Sequence, residues 1–371
     1  AHRSRHPRRP WRALKQIAIP QVFPRVAPVT AVKHVIHGQA QHRVIPADAC
    51  AITAAHIEHR VPAHRDRARL IGILARAVAR TAQQLSAARV KILRRTLILF
   101  GLGIFVNLIY LKFAELRILG VLQRIALVYL ACSLLSMHCS TKRLVQITVF
   151  ILLSYWLLIL LVPAPGLAAG QLERDANLIN WFDSQFLPGM LWRGSWDPEG
   201  ILSTYPAIAS GLFGVIMGRL VLLHKQQLPT LVMLLFVLGF SSFLLGCLWS
   251  LWFPLIKQIW SSSFVLVTSG MASMVLALLI WYTDVQQYRR FTQVSLVFGA
   301  NAIVAYVLHV ALEKLLEVQI AGVSVHGSYL QLAEQFGLSR FFSAGLWIVA
   351  FLALCYMPVW WMYQRKIFVK I

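Results

Sequence analysis

The sequence predicts an all-α protein, a polytopic bundle of transmembrane helices. Three observations carry that reading. From Lys91 onward the chain is a succession of long Leu, Ile, Val, Phe and Trp runs, and a bilayer span needs roughly 20 mostly apolar residues. Basic residues gather at the ends of those runs. Successive connecting segments alternate between basic and acidic.

Taken in order, the apolar runs predict eight visible spans: 96–111, 119–137, 144–162, 201–223, 228–248, 261–282, 291–312 and 340–363. Lys91, Arg94 and Arg95 precede the first, and Lys142 and Arg143 follow the second. Arg219 and Lys225 end the fourth, Arg289 and Arg290 precede the seventh, and Arg365, Lys366 and Lys370 close the chain. The other connections carry Glu173, Asp175, Asp183, Asp197 and Glu199, or Glu313, Glu317 and Glu334. The positive-inside rule then puts Lys91 and the C-terminus in the cytoplasm and the 163–200 and 313–339 loops outside. A net charge of +23 raises nucleic acid as a partner, but in the membrane part the basic residues sit at span ends, so none is expected. The five cysteines show neither metal spacing nor a pairing pattern.

Residues 1–90 differ in character. They hold three acids (Asp48, Glu58 and Asp66), eight of the twelve histidines, and no Met, Asn or Tyr, and the first residue is Ala. Nothing there is apolar enough to span a bilayer or periodic enough for a packed domain. A transit peptide would be Arg-rich and acid-poor but is a poor fit to so much Pro and His. A disordered basic tail would carry more Ser, Glu and Lys. The reading carried forward divides the chain into 1–90, a basic Ala/Arg/His-rich segment either disordered or out of frame, and 91–371, the membrane domain. Only 67–95 has a helical pattern, basic and amphipathic, suited to an anionic leaflet. His34 with His37, and His56 with His59, have i,i+3 spacing but no carboxylate or cysteine companions, so no metal is expected.

Three motifs carry chemistry. Leu116 to Ala126 places Arg117, Gln123 and Arg124 at the mouth of the second span, with Gly120 on the Arg124 face. An Arg at hydrocarbon depth costs at least a few kcal/mol and is seldom there without a partner or a task; the plain alternative is an Arg snorkelling to the headgroups. Asn180-Trp181-Phe182-Asp183 leads to Trp196-Asp197-Pro198-Glu199-Gly200 and then Ile201 to Ile208. Asp-Pro-Glu-Gly is turn and helix-start chemistry, yet Asp197 and Glu199 beside aromatics also suit sugar recognition, and composition leaves both open. In the seventh span Asn301, Tyr306 and His309 need internal partners; His309, Arg124 and the two carboxylates all fall on the outer side. Gly211, Gly214 and Gly218 would let the fourth span pack closely.

These residues resemble the signatures of the heparan-α-glucosaminide N-acetyltransferase family and its bacterial relatives. Arg117 to Ala126, Asp197 to Ile208 and Asn301 to His309 carry the likeness, and Lys91 to Arg95 leading into Phe100 to Gly103 resembles that family's third span. The resemblance covers about 91–371. It implies a transmembrane enzyme of about ten spans that takes acetyl from cytoplasmic acetyl-CoA and passes it to an amino sugar or glycan on the outer side. In that scheme Arg124 and Gln123 bind an acyl or phosphate oxygen, Arg117 is a further substrate-binding residue, and Asp197 and Glu199 position sugar hydroxyls or the amine. Asn301, Tyr306 and the catalytic candidate His309 complete the outer pocket, and the basic loops suit coenzyme A phosphates. The expected setting is a lipid bilayer, as a bacterial inner-membrane protein with a homodimer among its open assemblies. The family's Ser-Leu-Asp-x-x-Arg-Gly span, its loop with the catalytic His and its Asp-Leu-x-Phe-Pro span are not readable in 1–90, so inactivity of this chain is one expectation. A sugar or lipid transporter is the rival reading, though no internal repeat supports it.

Overall fold

The computed structural model describes the backbone of residues 64–108, 116–192, 194, 196–290, 292–320 and 323–369, and side chains within these segments from 83 to 319 and from 323 to 369. The two histidine pairs and most of the 1–90 segment lie outside the described residues. The chain divides at Ile92 into two units. The second holds all the described elements except the first part of one helix.

Among the described residues the chain is helical throughout, with one two-stranded antiparallel ribbon. The order is α1 His64–Asn107, α2 Val121–His138, α3 Thr141–Leu161, α4 Leu178–Phe186, α5 Ile201–His224, α6 Leu228–Trp249 and α7 Ser262–Ile280. A π turn, Trp281–Val285, extends α7. Then come α8 Thr292–Ala300, α9 Ala302–Glu317, the ribbon β1 Gln319–Ile320 with β2 Val323–Ser324, α10 Val325–Gln335 and α11 Arg340–Gln364. Helix starts are written locally. Ser140, Asn177, Ser261, Ser324 and Ser339 each cap a helix by accepting the N–H three residues on, and Pro229 opens α6, where its missing N–H costs nothing.

Among the described residues, six helices are long and apolar enough to cross a membrane: α2, α3, α5, α6, α7 with its π turn, and α11. They make this an integral membrane protein, and their outward faces are apolar as lipid requires. Phe341, Val349 and Met357 on α11 are well exposed. One of the eight expected spans comes out differently. The stretch 291–312 is no single helix: it breaks at Asn301, where α8 and α9 meet at 87°. Asn301 stops the helix with φ −132° and ψ 46°. Its Nδ2 donates to the Ile367 carbonyl at 2.9 Å, and its Oδ1 accepts from Val369 N–H at 2.9 Å. The stretch 96–111 begins inside α1, which stops at Asn107, and its last residues, 109–111, lie outside the described residues.

Helix α5 lies at the centre of the packing. Its Ala209 and Leu212 join Cys132 of α2, Leu144, Ile151 and Leu152 of α3, and Val265 of α7 in one buried cluster. Of the three glycines expected to bring α5 close to a neighbour, only Gly211 does so: a Cβ there would sit 2.6 Å from Cys132 Sγ and Val128 Cγ1, while Gly214 and Gly218 face open space. The closest approach is elsewhere. A Cβ on Gly270 of α7 would lie 2.5 Å from the Gly239 carbonyl, and one on Gly239 of α6 would lie 2.8 Å from the Gly270 carbonyl. Small residues let the two backbones touch, which is how helices adhere where water supplies no driving force.

At one end of the bundle Arg219 donates to the Ser136 and Cys139 carbonyls and to Thr141 Oγ1, stapling the α2–α3 turn. At the other, Ser261, Ser262 and Ser263 are fully buried. Ser262 bonds the Leu152 carbonyl at 2.7 Å, and Ser261 and Ser263 bond the carbonyls of Pro254 and Phe253. The serines fix the loop that delivers Trp260 to the site.

Candidate functional site

The site forms where three segments meet the first turn of α5. The first is the stretch before α2. Leu187-Pro188-Gly189 turns back so that Gly189 pairs antiparallel with Arg117, and Met190 N–H donates to the Leu116 carbonyl at 3.0 Å. Gly189 has φ +87°, and a Cβ there would strike the Leu116 carbonyl, so the tight turn requires glycine. Asn107 Nδ2 donates to the Arg117 carbonyl at 2.7 Å. The Arg117 backbone is therefore fixed on both sides before its side chain makes any contact.

That side chain lies flat against two carboxylates. Nε donates to Asp197 Oδ2 at 2.7 Å, the terminal nitrogen donates to Asp197 Oδ1, and the same nitrogen meets Glu199 Oε2 at 2.5 Å. Trp192 stacks against the guanidinium at 5.0 Å. Burial works against the Arg117 charge, but the bonds to Asp197 and then Glu199 outweigh it and raise its pKa above the ordinary arginine value. The Asp197 side chain has no exposed surface, whereas Glu199 keeps 16% of its own. Asp197 Oδ1 also accepts from Glu199 N–H at 2.9 Å, which closes the Asp-Pro-Glu turn on itself.

Arg124, one turn into α2, grips the next residues of the same loop. One terminal nitrogen donates to the Pro198 carbonyl at 2.5 Å and to Ser203 Oγ. Trp260 covers it at 4.9 Å, and the Trp260 indole N–H is itself held by Ser210 Oγ at 3.1 Å. Arg124 is buried, and its Nε and second terminal nitrogen find no acceptor among the described residues; Gln123 Nε2 is equally buried and equally unmatched. Gln123 fills the space left by two glycines: a Cβ on Gly103 would strike its amide, and one on Gly120 would come within 3.0 Å.

The third approach comes from α4. Asp183 has no exposed surface, and its Oδ1 accepts the Ile201 N–H at 2.8 Å, at the start of α5. Gly200 leaves room for this: a Cβ there would overlap the Asp183 carboxylate. Asp183 Oδ2 has no donor among the described residues. Burial pushes the carboxyl up to about 6; the backbone bonds from Ile201 and Leu202 oppose the shift, Asp197 adds to it and Arg124 opposes it. On the rim, Arg174 stacks over Trp196 at 4.4 Å.

The structure thus brings Arg117, Arg124, Asp197 and Glu199 together around residues 197–203, while the Gln123 side chain packs against Gly103 and Gly120. Tyr306 on α9 lies within the electrostatic reach of Glu199 and Arg117. Two other expected residues point elsewhere. Asn301 is engaged by the tail after α11. His309 is exposed, edge-on to Phe351 at 5.3 Å. Sequence reasoning left out Asp183, Ser203, Trp192 and Trp260. Asp183 carried a signal, as the acid of a polar run ahead of Asp-Pro-Glu-Gly, whereas Trp260 arrives from a loop 136 positions beyond Arg124 and nothing local marks it. Chemically, the arrangement offers buried cationic and amide donors to an oxygen, with carboxylates close by. No group of three or more metal-ligating side chains occurs among the described residues.

No protein-family model matches the chain. Over 342 aligned residues it is 26% identical to the heparan-alpha-glucosaminide N-acetyltransferase of Mus musculus, an alignment covering 76% of this chain and 49% of that protein. The Homo sapiens protein of the same name matches with the same identity and coverage. The chain is a distant relative of these proteins and spans about half their length.

Proposed function

We propose that the chain is a membrane-embedded acyltransferase that moves acetyl from acetyl-CoA to the amine of an amino sugar or glycan. The observation that carries this is the pair of arginines at and just before the start of α2, one paired with carboxylates and one not. Arg117 is engaged by Asp197 and Glu199 and fixes the loop, while buried Arg124 keeps unmatched donors, as does the neighbouring residue Gln123. A buried donor without an acceptor costs about 1–3 kcal/mol, a cost met when a ligand supplies the oxygen. The distant relationship to two N-acetyltransferases supports reading that oxygen as the thioester carbonyl.

In the transfer, the amine nitrogen bonds to the acetyl carbon, the C–S bond breaks, and coenzyme A leaves as the thiol, with the proton that the amine gives up. The carbonyl oxygen gathers negative charge on the way, and fixed donors in a water-poor site stabilise such charge by several kcal/mol. Arg124 and Gln123 fill that role here, with Trp260 excluding water from one side. Asp197 positions Arg117, Glu199 keeps an exposed edge for a sugar hydroxyl, and Tyr306 borders the pocket. No proton step is assigned to His309. The donor is cytoplasmic acetyl-CoA, its phosphates suited to Lys142, Arg143, Arg289 and Arg290. The acceptor stands on the opposite side, the C-terminus is cytoplasmic, and the setting is a bacterial inner membrane.

The test is transfer of radiolabelled acetyl from acetyl-CoA to glucosamine by the full chain in proteoliposomes. Arg124→Ala is expected to lower kcat/KM at least a hundredfold, the loss typical of removing one oxyanion donor. Full activity in that variant sinks the reading, as does sugar uptake by the vesicles without any acetyl transfer.

A further inference from the structure

The proposed function leaves Asp183 without a task, although it is the most completely enclosed carboxylate of the site. Its surroundings are unusual in what they supply. One oxygen is held by a backbone N–H at the start of α5, and the other has no donor among the described residues. Arg124 presents the opposite deficit, with donors that lack an acceptor. Neither compensates the other: the bonds of Arg124 go to neutral oxygens of Pro198 and Ser203, and those given to Asp183 come from backbone amides at the start of α5. Both residues hold the same short turn, residues 198–203, and each feels the charge of the other. An unmatched acceptor and unmatched donors therefore flank one helix start.

We propose that Asp183 binds the primary amine of the acceptor, its free oxygen accepting an N–H while Arg124 holds the acyl oxygen. The inference rests on the acetyl-transfer reading and adds to it the residue that selects an amine. An amide product carries one N–H and one carbonyl oxygen, the complement of the two deficits. Charge points the same way: Arg117 and Arg124 stand against Asp183, Asp197 and Glu199, an excess of one negative charge when all are ionised, which favours a cationic amine over a neutral hydroxyl. Both groups are closed to solvent, so amine entry requires the site to open. The other groups facing Asp183 are Arg124 from α2, Asp197 from the loop and Tyr155 from α3.

The experiment measures the shift in thermal unfolding midpoint of the purified full chain titrated with glucosamine, with glucose, and separately with acetyl-CoA. At pH 7.5 glucosamine is expected to raise the midpoint at concentrations at least tenfold below those at which glucose does. Asp183→Asn is expected to erase that preference while leaving the acetyl-CoA shift intact. Should the variant fail to fold, the wild type serves: the preference should fade between pH 7 and pH 5, as Asp183 takes up a proton while the amine stays charged. A preference for glucosamine that persists in Asp183→Asn, or that is unchanged from pH 7.5 to pH 5, overturns the inference. No preference at pH 7.5 overturns it too, and an acetyl-CoA shift in the same samples then leaves the acetyl-transfer reading standing. A preference for glucosamine without any acetyl-CoA shift sinks that reading alone.

Discussion

Replacing Arg117 by Ala should destabilise the protein by about 3 kcal/mol. The magnitude follows from the burial of its partners. An exposed ion pair contributes roughly 0–1 kcal/mol, but stranding one buried partner costs about 3–5 kcal/mol. Here the Asp197 side chain is fully enclosed, while Arg117 and Glu199 retain 17% and 16% exposure. The cost therefore falls at the lower end of the buried range, with about 0.5–1 kcal/mol of it from the lost contact with Trp192. Asp197→Ala made in the Arg117→Ala background should recover part of the loss, because it removes the stranded carboxylate. The assay is reversible unfolding in mixed micelles on the four members of the double-mutant cycle. A loss below about 1 kcal/mol, or strictly additive effects, refutes the claim that this pair is the fixed point of the loop.

The Asp183 carboxyl, raised to about 6 by burial, binds its proton more tightly folded than unfolded. The contribution of Asp183 should therefore be most favourable below pH 4 and fall by up to about 3 kcal/mol as pH rises to about 6; unfolding midpoints of the wild type against Asp183→Asn from pH 4 to 7 check this, their difference carrying that slope. Gly200→Ala should cost about 1–3 kcal/mol, wholly through collision with Asp183, since φ is −63° there and any residue adopts it. Gly214→Ala, facing open space on the same helix, should be neutral or slightly stabilising in the same unfolding assay. Asn301→Ala removes both bonds to the C-terminal tail and should cost about 1–3 kcal/mol; faster hydrogen exchange at Val369 would register it locally.

Much of this architecture was legible because lipid imposes a simple rule on composition. The runs beginning near residues 119, 144, 201, 228, 261 and 340 read as spans because hydropathy alone decides whether a helix crosses a bilayer. Arg117 and Arg124 stood out for the same reason, as charges where charge is expensive. Hydropathy is blind to direction, however. It runs unbroken through Ala300, Asn301 and Ala302, so the turn there is invisible until the tail supplies partners for the Asn301 side chain. It cannot tell Gly211, which touches Cys132, from Gly214, which touches nothing. Asp183 and Trp260 reach the site only through tertiary packing. His309, close in sequence to Tyr306, shows the converse: proximity along a helix did not bring it to the cluster.

The turn at Asn301 also sets a length. With α8 swung through 87°, the 16 residues of α9 rise about 24 Å along a direction of their own. That is several ångströms less than a typical ~30 Å hydrocarbon layer. Were α9 to cross alone, a bilayer meeting it would thin locally, at a cost of fractions of a kcal/mol per ångström. Tyr306 rides on this short helix towards Arg117 and Glu199. A layer thinned in this way would be narrowest on the side of the protein where Tyr306 feels Glu199 and Arg117.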